Sequence, residues 1–177
     1  MKKLSEQRTL ALIVLIAAAL LAVPLLGGLG LKIAEAKAAR EFSSIASNRD
    51  AFGNNLFSDS ERIVDDASAM LEAGKSYVDS DLAQRLSEAI SACKKAKNAV
   101  DKYEKTDKLY EIAGVFYKQV GPNVSEEMDN SSSNIVSVML QLRRLNRPAY
   151  NDYLNTCTEL TASWPASSIA KLWNIGG

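Results

Sequence analysis

From residue 9 to residue 31 the chain runs for 23 residues without a charged side chain. The stretch before it, MKKLSEQR, is a basic tail carrying Lys2, Lys3 and Arg8. As an α-helix rising about 1.5 Å per residue, the uncharged run reaches about 34 Å, enough to cross a hydrocarbon core of about 30 Å. The expectation is therefore a basic tail over 1–8, a transmembrane anchor over 9–31, and a body over 32–177 held at the plasma membrane. A cleaved secretory signal is the rival reading, because Ala34-Glu35-Ala36 and Ala36-Lys37-Ala38 resemble small-residue cleavage sites. The apolar region of such a signal is typically about 7–15 residues, shorter than this run, and the uncleaved anchor is favoured.

Gly27, Gly28 and Gly30 form no phosphate loop, since no Gly-Lys-Ser/Thr follows them. With Pro24 they are expected to loosen the end of the span near the interface. Lys32, Lys37 and Arg40 after the run balance the three basic residues before it, so the positive-inside rule discriminates little. The amino terminus and the Lys2-Lys3 pair tip the expectation toward an inside tail and an extracytoplasmic body.

Beyond residue 32 apolar residues recur at intervals of three and four, the helical period, and no strand-like alternation occurs. Ala38, Phe42, Ile45, Phe52 and Leu56 make a first stripe, on which Arg49 also lands. Arg49 reads either as a side chain snorkelling at an edge or as the partner of an internal carboxylate. After a turn at Gly53-Asn54-Asn55, Ser58 and Glu61 have the spacing of a capping box. The stripe Ile63, Ala67, Met70, Gly74 and Tyr77 continues, with one phase slip, into Leu82, Leu86, Ala89, Cys93, Ala96, Val100 and Tyr103. Either a turn separates two helices at the slip or one long helix carries a stutter, and with no Gly or Pro there the long helix is favoured. Thr106 reads as the cap of a shorter helix that Gly121-Pro122 ends. Asn123 or Ser125 then starts a last long helix, with Met128, Ile135, Val138, Leu142, Leu145 and Ala149 on its apolar side. Pro148 should bend it, and the polar stretch 130–134 reads as a surface bulge or a second break. The fold class expected is all-α: an N-terminal transmembrane helix followed by an antiparallel four-helix bundle.

The chain's 177 residues include no histidine, which removes imidazole catalysis and imidazole metal sites together. Charge is balanced, with 21 basic and 21 acidic residues, and no nucleic-acid partner is expected. Lys94, Lys95, Lys97, Lys102 and Lys105 read as a solvated helix face. Cys93 and Cys157, each on an apolar stripe, read as buried inert thiols in preference to a bridge. Asp65 and Asp66 are the carboxylate pair an enzyme would need, but neighbours on a helix point about 100° apart and cannot face each other. No cofactor is expected.

The end of the chain carries Tyr150-Asn151, then Trp164-Pro165 fourteen residues later, then Ile169-Ala170 opening an apolar tail. This spacing resembles the C-terminal signature of the LemA family of membrane-anchored bacterial helical bundles. That signature has a Tyr-Asn pair, a second such pair seven residues on, an aromatic-Pro pair seven further on, and a small apolar tail. Here Cys157-Thr158 replaces the second pair. Val120-Gly121-Pro122-Asn123 stands in the place of the family's Tyr-Pro turn, and Ser60-Glu61-Arg62-Ile63-Val64 loosely in that of an earlier Pro-containing segment. The resemblance implies Tyr150, Asn151, Trp164, Pro165 and Ala170 as the family positions, a membrane-associated role linked to the envelope, and no established chemistry. The body is accordingly expected to be a non-enzymatic scaffold: the lipid bilayer holds residues 9–31 and the bundle meets membrane or envelope proteins. The alternative is a membrane-tethered sensor with a small ligand between helices, near the Ser/Asn patch or Arg49.

Overall fold

In the computed structural model the backbone is described for residues 2–162 and 165–175, and side chains for residues 14, 15, 18, 22–162 and 165–175. Six α-helices follow one another: α1 (Lys2–Ser47), α2 (Leu56–Gly74), α3 (Ser80–Lys95), α4 (Ala99–Val120), α5 (Glu126–Thr161) and α6 (Ala166–Trp173). Single 3-10 turns at Lys75–Tyr77 and Gly121–Asn123 complete the order, and no strand occurs among the described residues. The chain is all-helical, as the three-and-four spacing dictates. It packs as two compact units, one built from residues 1–38 and 153–177, the other from residues 39–152. Among the described residues no helix is long and apolar enough to cross a membrane. Much of the expected span 9–31 lies outside the described side chains.

Within residues 39–152 the core is made where α2, α3 and α4 meet. Ile63, Ala67 and Met70 of α2, Leu86 and Cys93 of α3, and Leu109 and Phe116 of α4 are all buried. Gly74 closes this face of α2 for lack of volume, since a Cβ there would lie 2.7 Å from Phe116 Cε1 and 2.8 Å from Met128 Cε. A buried hydroxyl pair, Ser60 and Thr106, is joined at 2.8 Å between oxygens, with Cys93 Sγ 3.4 Å from Thr106 Oγ1. Thr106 Oγ1 also reaches the Lys102 carbonyl at 2.7 Å. Thr106 is therefore an interior residue of α4, with its hydroxyl bonded back along its own helix, and not a cap.

The expected long helix across residues 56–103 is three helices. At residue 78 the backbone turns extended, and at residue 96 it does so again. Asn98 restarts the chain as α4, accepting from the Asp101 amide at 2.8 Å. At the second break Lys102 Nζ donates to the Cys93 carbonyl at 2.8 Å, which also accepts from the Ala96 amide at 3.3 Å. Lys102 is consequently buried and is not part of the solvated lysine face, where Lys94, Lys95 and Lys97 remain.

Other starts and stops follow local chemistry. Gly121 ends α4 with φ +58°, and Ser125 Oγ accepts from the Met128 amide at 3.2 Å to open α5. The stretch 130–134 stays helical, and α5 runs through Pro148 without interruption. Pro148 and Arg144 are both exposed, and the Arg144 carbonyl is the one that proline leaves without its usual donor.

In the other unit α6 ends on Asn174, left-handed at φ +50°, with the Ile175 amide bonded to the Ala170 carbonyl at 3.1 Å. This is the six-to-one closure of a Schellman motif, and Ile175 is buried beside it. Ile169 and Trp173 pack onto α1 at Gly27 and Gly28, whose missing side chains leave the room. These two glycines form a docking notch rather than a loosened helix end.

Candidate functional site: a polar cavity beside the Asp50 turn

The helix α1 ends at Ser47, and the next eight residues are shaped by one carboxylate. Asp50 Oδ1 accepts from the amides of Phe52 and Asn54, each at 2.8 Å, while the Asp50 amide donates to the Asn54 carbonyl at 2.7 Å. Gly53 takes φ +83° to complete the turn. The other carboxylate oxygen accepts from Gln141 Nε2 of α5, tying the turn to that helix. Asn55 then caps α2: its side chain accepts from the amides of Phe57 and Ser58 at 3.1 Å, and Ser58 Oγ accepts from the Asn55 amide at 2.8 Å. The capping box thus sits one turn earlier than the Ser58–Glu61 spacing suggested. The first stripe is corrected too, with Ala38, Phe42 and Ala46 buried while Ile45 and Phe52 are exposed.

This turn roofs a cavity of about 190 Å³, walled by Ile45, Ala46, Leu56 and Leu145 and carrying the polar groups of Arg49, Asp59 and Asn146. Asp59 is only 2% exposed, and its Oδ1 has no hydrogen-bond partner among the described residues. The closest cation, Arg62 Nη1, stands 3.8 Å away, beyond hydrogen-bonding range. Burial raises the Asp59 carboxyl above the ordinary range, the proximity of Arg62 opposes this, and the Asp50 charge reinforces it. Asn146 is buried as well and spends its Nδ2 on the Leu142 carbonyl at 3.0 Å, which leaves its amide oxygen as an acceptor. Arg49 stands exposed at the rim with no ion pair among the described residues, so it is an edge residue rather than an internal partner.

Sequence reasoning singled out Arg49 but passed over Asp59 and Asn146. Both were within reach of the period: Asp59 lies four residues before Ile63, and Asn146 four after Leu142, on apolar faces. Leu145, placed on the stripe instead, is 47% exposed.

The family positions lie elsewhere. Tyr150 joins an aromatic cluster, its ring 5.6 Å from Phe42 edge-on and 4.6 Å from Tyr103. Its hydroxyl donates to Glu104 Oε1 at 2.6 Å. Exposed Asn151 borders a cleft with Tyr103 and Arg143. The Arg143 charge there is already met: its Nη2 and Nε reach Asp107 Oδ1 at 2.7 and 2.8 Å, and it lies 4.8 Å over the Tyr110 ring. Pro165 is exposed at the start of α6, Ala170 is buried within it, and Trp164 lies outside the described residues.

Asp65 is exposed, while half-buried Asp66 is raised by burial against a hydrogen bond from Asn134, so the two carboxylates do not converge. Cys93 and Cys157 are free buried thiols. Among the described residues no group of three or more Cys, Asp or Glu side chains could hold a metal. Comparison with protein-family models, curated proteins and solved structures finds no match.

Proposed function

We propose that the protein is a single-pass membrane-anchored helical bundle of LemA type, which presents its body to membrane or envelope proteins and carries out no chemistry of its own. The uncharged run over 9–31 carries this reading. Its described side chains support it, since Leu15, Leu25, Leu26 and Leu29 are all more than half exposed, a surface that water penalises and lipid does not. With residues 9–31 in a bilayer, Trp173, seated at Gly28 near the end of the run, would lie near the interface where membrane proteins concentrate tryptophan. The spacing of Tyr150-Asn151 and Trp164-Pro165 supports the family reading. The test is an epitope after Gly177, probed by protease in intact and lysed cells, with membrane sedimentation alongside. Anchoring predicts a full-length chain in the membrane pellet with the tag cut from outside. A shortened, soluble chain would sink the anchor, and protection until lysis would place the bundle inside.

A second reading, a membrane-tethered ligand-binding bundle, is favoured by one observation: the orphaned carboxylate oxygen of Asp59 in a walled cavity.

A further inference from the structure

A buried carboxylate without a hydrogen bond is costly, and native structures rarely retain one without a use. Asp59 has this character, and it lines a cavity that also holds a cation with no partner of its own, Arg49 at the rim. The same cavity is lined by Asn146, whose Nδ2 is spent on the Leu142 carbonyl, and by four aliphatic side chains. The second carboxylate, Asp50, is committed to its turn and to Gln141, so it sets the field without competing for a donor. A cavity of about 190 Å³ has room for a small molecule.

We propose that this cavity binds a small zwitterionic amino acid, its ammonium against Asp59 and the Asn146 amide oxygen, its carboxylate against Arg49. The pattern fits a zwitterion better than either ion alone. A simple cation would leave Arg49 without a partner, and a simple anion held by Arg49 would leave the Asp59 oxygen without a donor. Arg presents a planar fork matched to a carboxylate, while an ammonium supplies the donors that Asp59 lacks. The aliphatic walls admit a side chain of alanine or serine size. This deepens the ligand-binding reading and is independent of the membrane anchor, so either can fail alone.

The experiment is calorimetric titration of the full chain in mild detergent with glycine, L-alanine and L-serine, and with methylammonium and acetate as single-charge probes. One-to-one saturable binding of at least one amino acid is expected, with methylammonium and acetate each at least about tenfold weaker. Asp59→Asn and Arg49→Gln should each weaken the amino acid by about tenfold or more. Arg49 is exposed and unpaired, so its variant tests the site without threatening the fold. Flat titrations with all three amino acids would overturn the proposal. Equal binding of methylammonium would overturn the zwitterion, as would binding indifferent to both substitutions.

Discussion

The indole of Trp173 occupies the space that a side chain on Gly28 would need. Ile169 does the same one residue earlier, its Cδ1 lying 2.9 Å from where a Gly27 Cβ would stand. Two glycines that look like punctuation in an apolar run are thus a receptacle for α6.

Gly28→Ala should displace Trp173 and loosen α6, costing about 1–3 kcal/mol locally. Hydrogen exchange of the amides in residues 166–173 measures this, with faster exchange expected. Gly30 is the control, because a Cβ there meets nothing within 4 Å. If Gly30→Ala opens α6 as much, the notch does not hold it.

Asp59→Asn should stabilise the protein at neutral pH, by about 1–3 kcal/mol, because it removes a buried charge lacking a hydrogen bond. The sign of the pH dependence follows from the raised carboxyl. Between the unfolded value, near 3.8, and the higher folded one, the native state holds the extra proton. Stability there falls as pH rises. The advantage of the asparagine variant is full above the folded value and disappears as pH drops below about 3.8. Denaturation midpoints at several pH values check this, and an advantage that grows toward acid pH would contradict it. Together with lost ligand binding, the gain would mark Asp59 as kept for function at a cost in stability.

Thr106→Val leaves the buried Ser60 hydroxyl without its 2.8 Å partner and should cost about 1–3 kcal/mol. Adding Ser60→Ala should recover part of that loss, since no hydroxyl is then stranded. A double-mutant cycle in urea reads the coupling, and strict additivity would show that the pair does not interact.

Gly74→Ala pits about 1 kcal/mol of helix propensity against a steric cost of about 1–3 kcal/mol where Phe116 and Met128 close in. Net destabilisation is expected because Phe116 is fully buried. Gly74→Ala combined with Met128→Ala should be less destabilised than the sum of the two changes, since the smaller side chain makes room. A rise in denaturation midpoint for Gly74→Ala alone would refute the close-packing account.

Several features were legible in the sequence because their causes are local. The three-and-four apolar spacing sufficed for an all-helical chain, Gly121-Pro122 for the end of α4, and Ser125 for the start of α5. Each depends on backbone geometry or on a side chain within a turn of its target. The polar residues on apolar faces, Asp59 and Asn146, were also visible in the period, but their convergence with Arg49 depends on three helices meeting at the Asp50 turn. The break at residues 96–98 carries no Gly or Pro. There the Lys102 ammonium, from the first turn of α4, donates to the Cys93 carbonyl at the end of α3. Pro148, expected to bend the last helix, lies within α5 without interrupting it. The sequence alone therefore determined that the chain is helical, where α4 ends and where α5 begins. Tertiary structure decided which polar groups are buried together and which glycines receive a neighbour, because those outcomes depend on contacts between residues far apart along the chain.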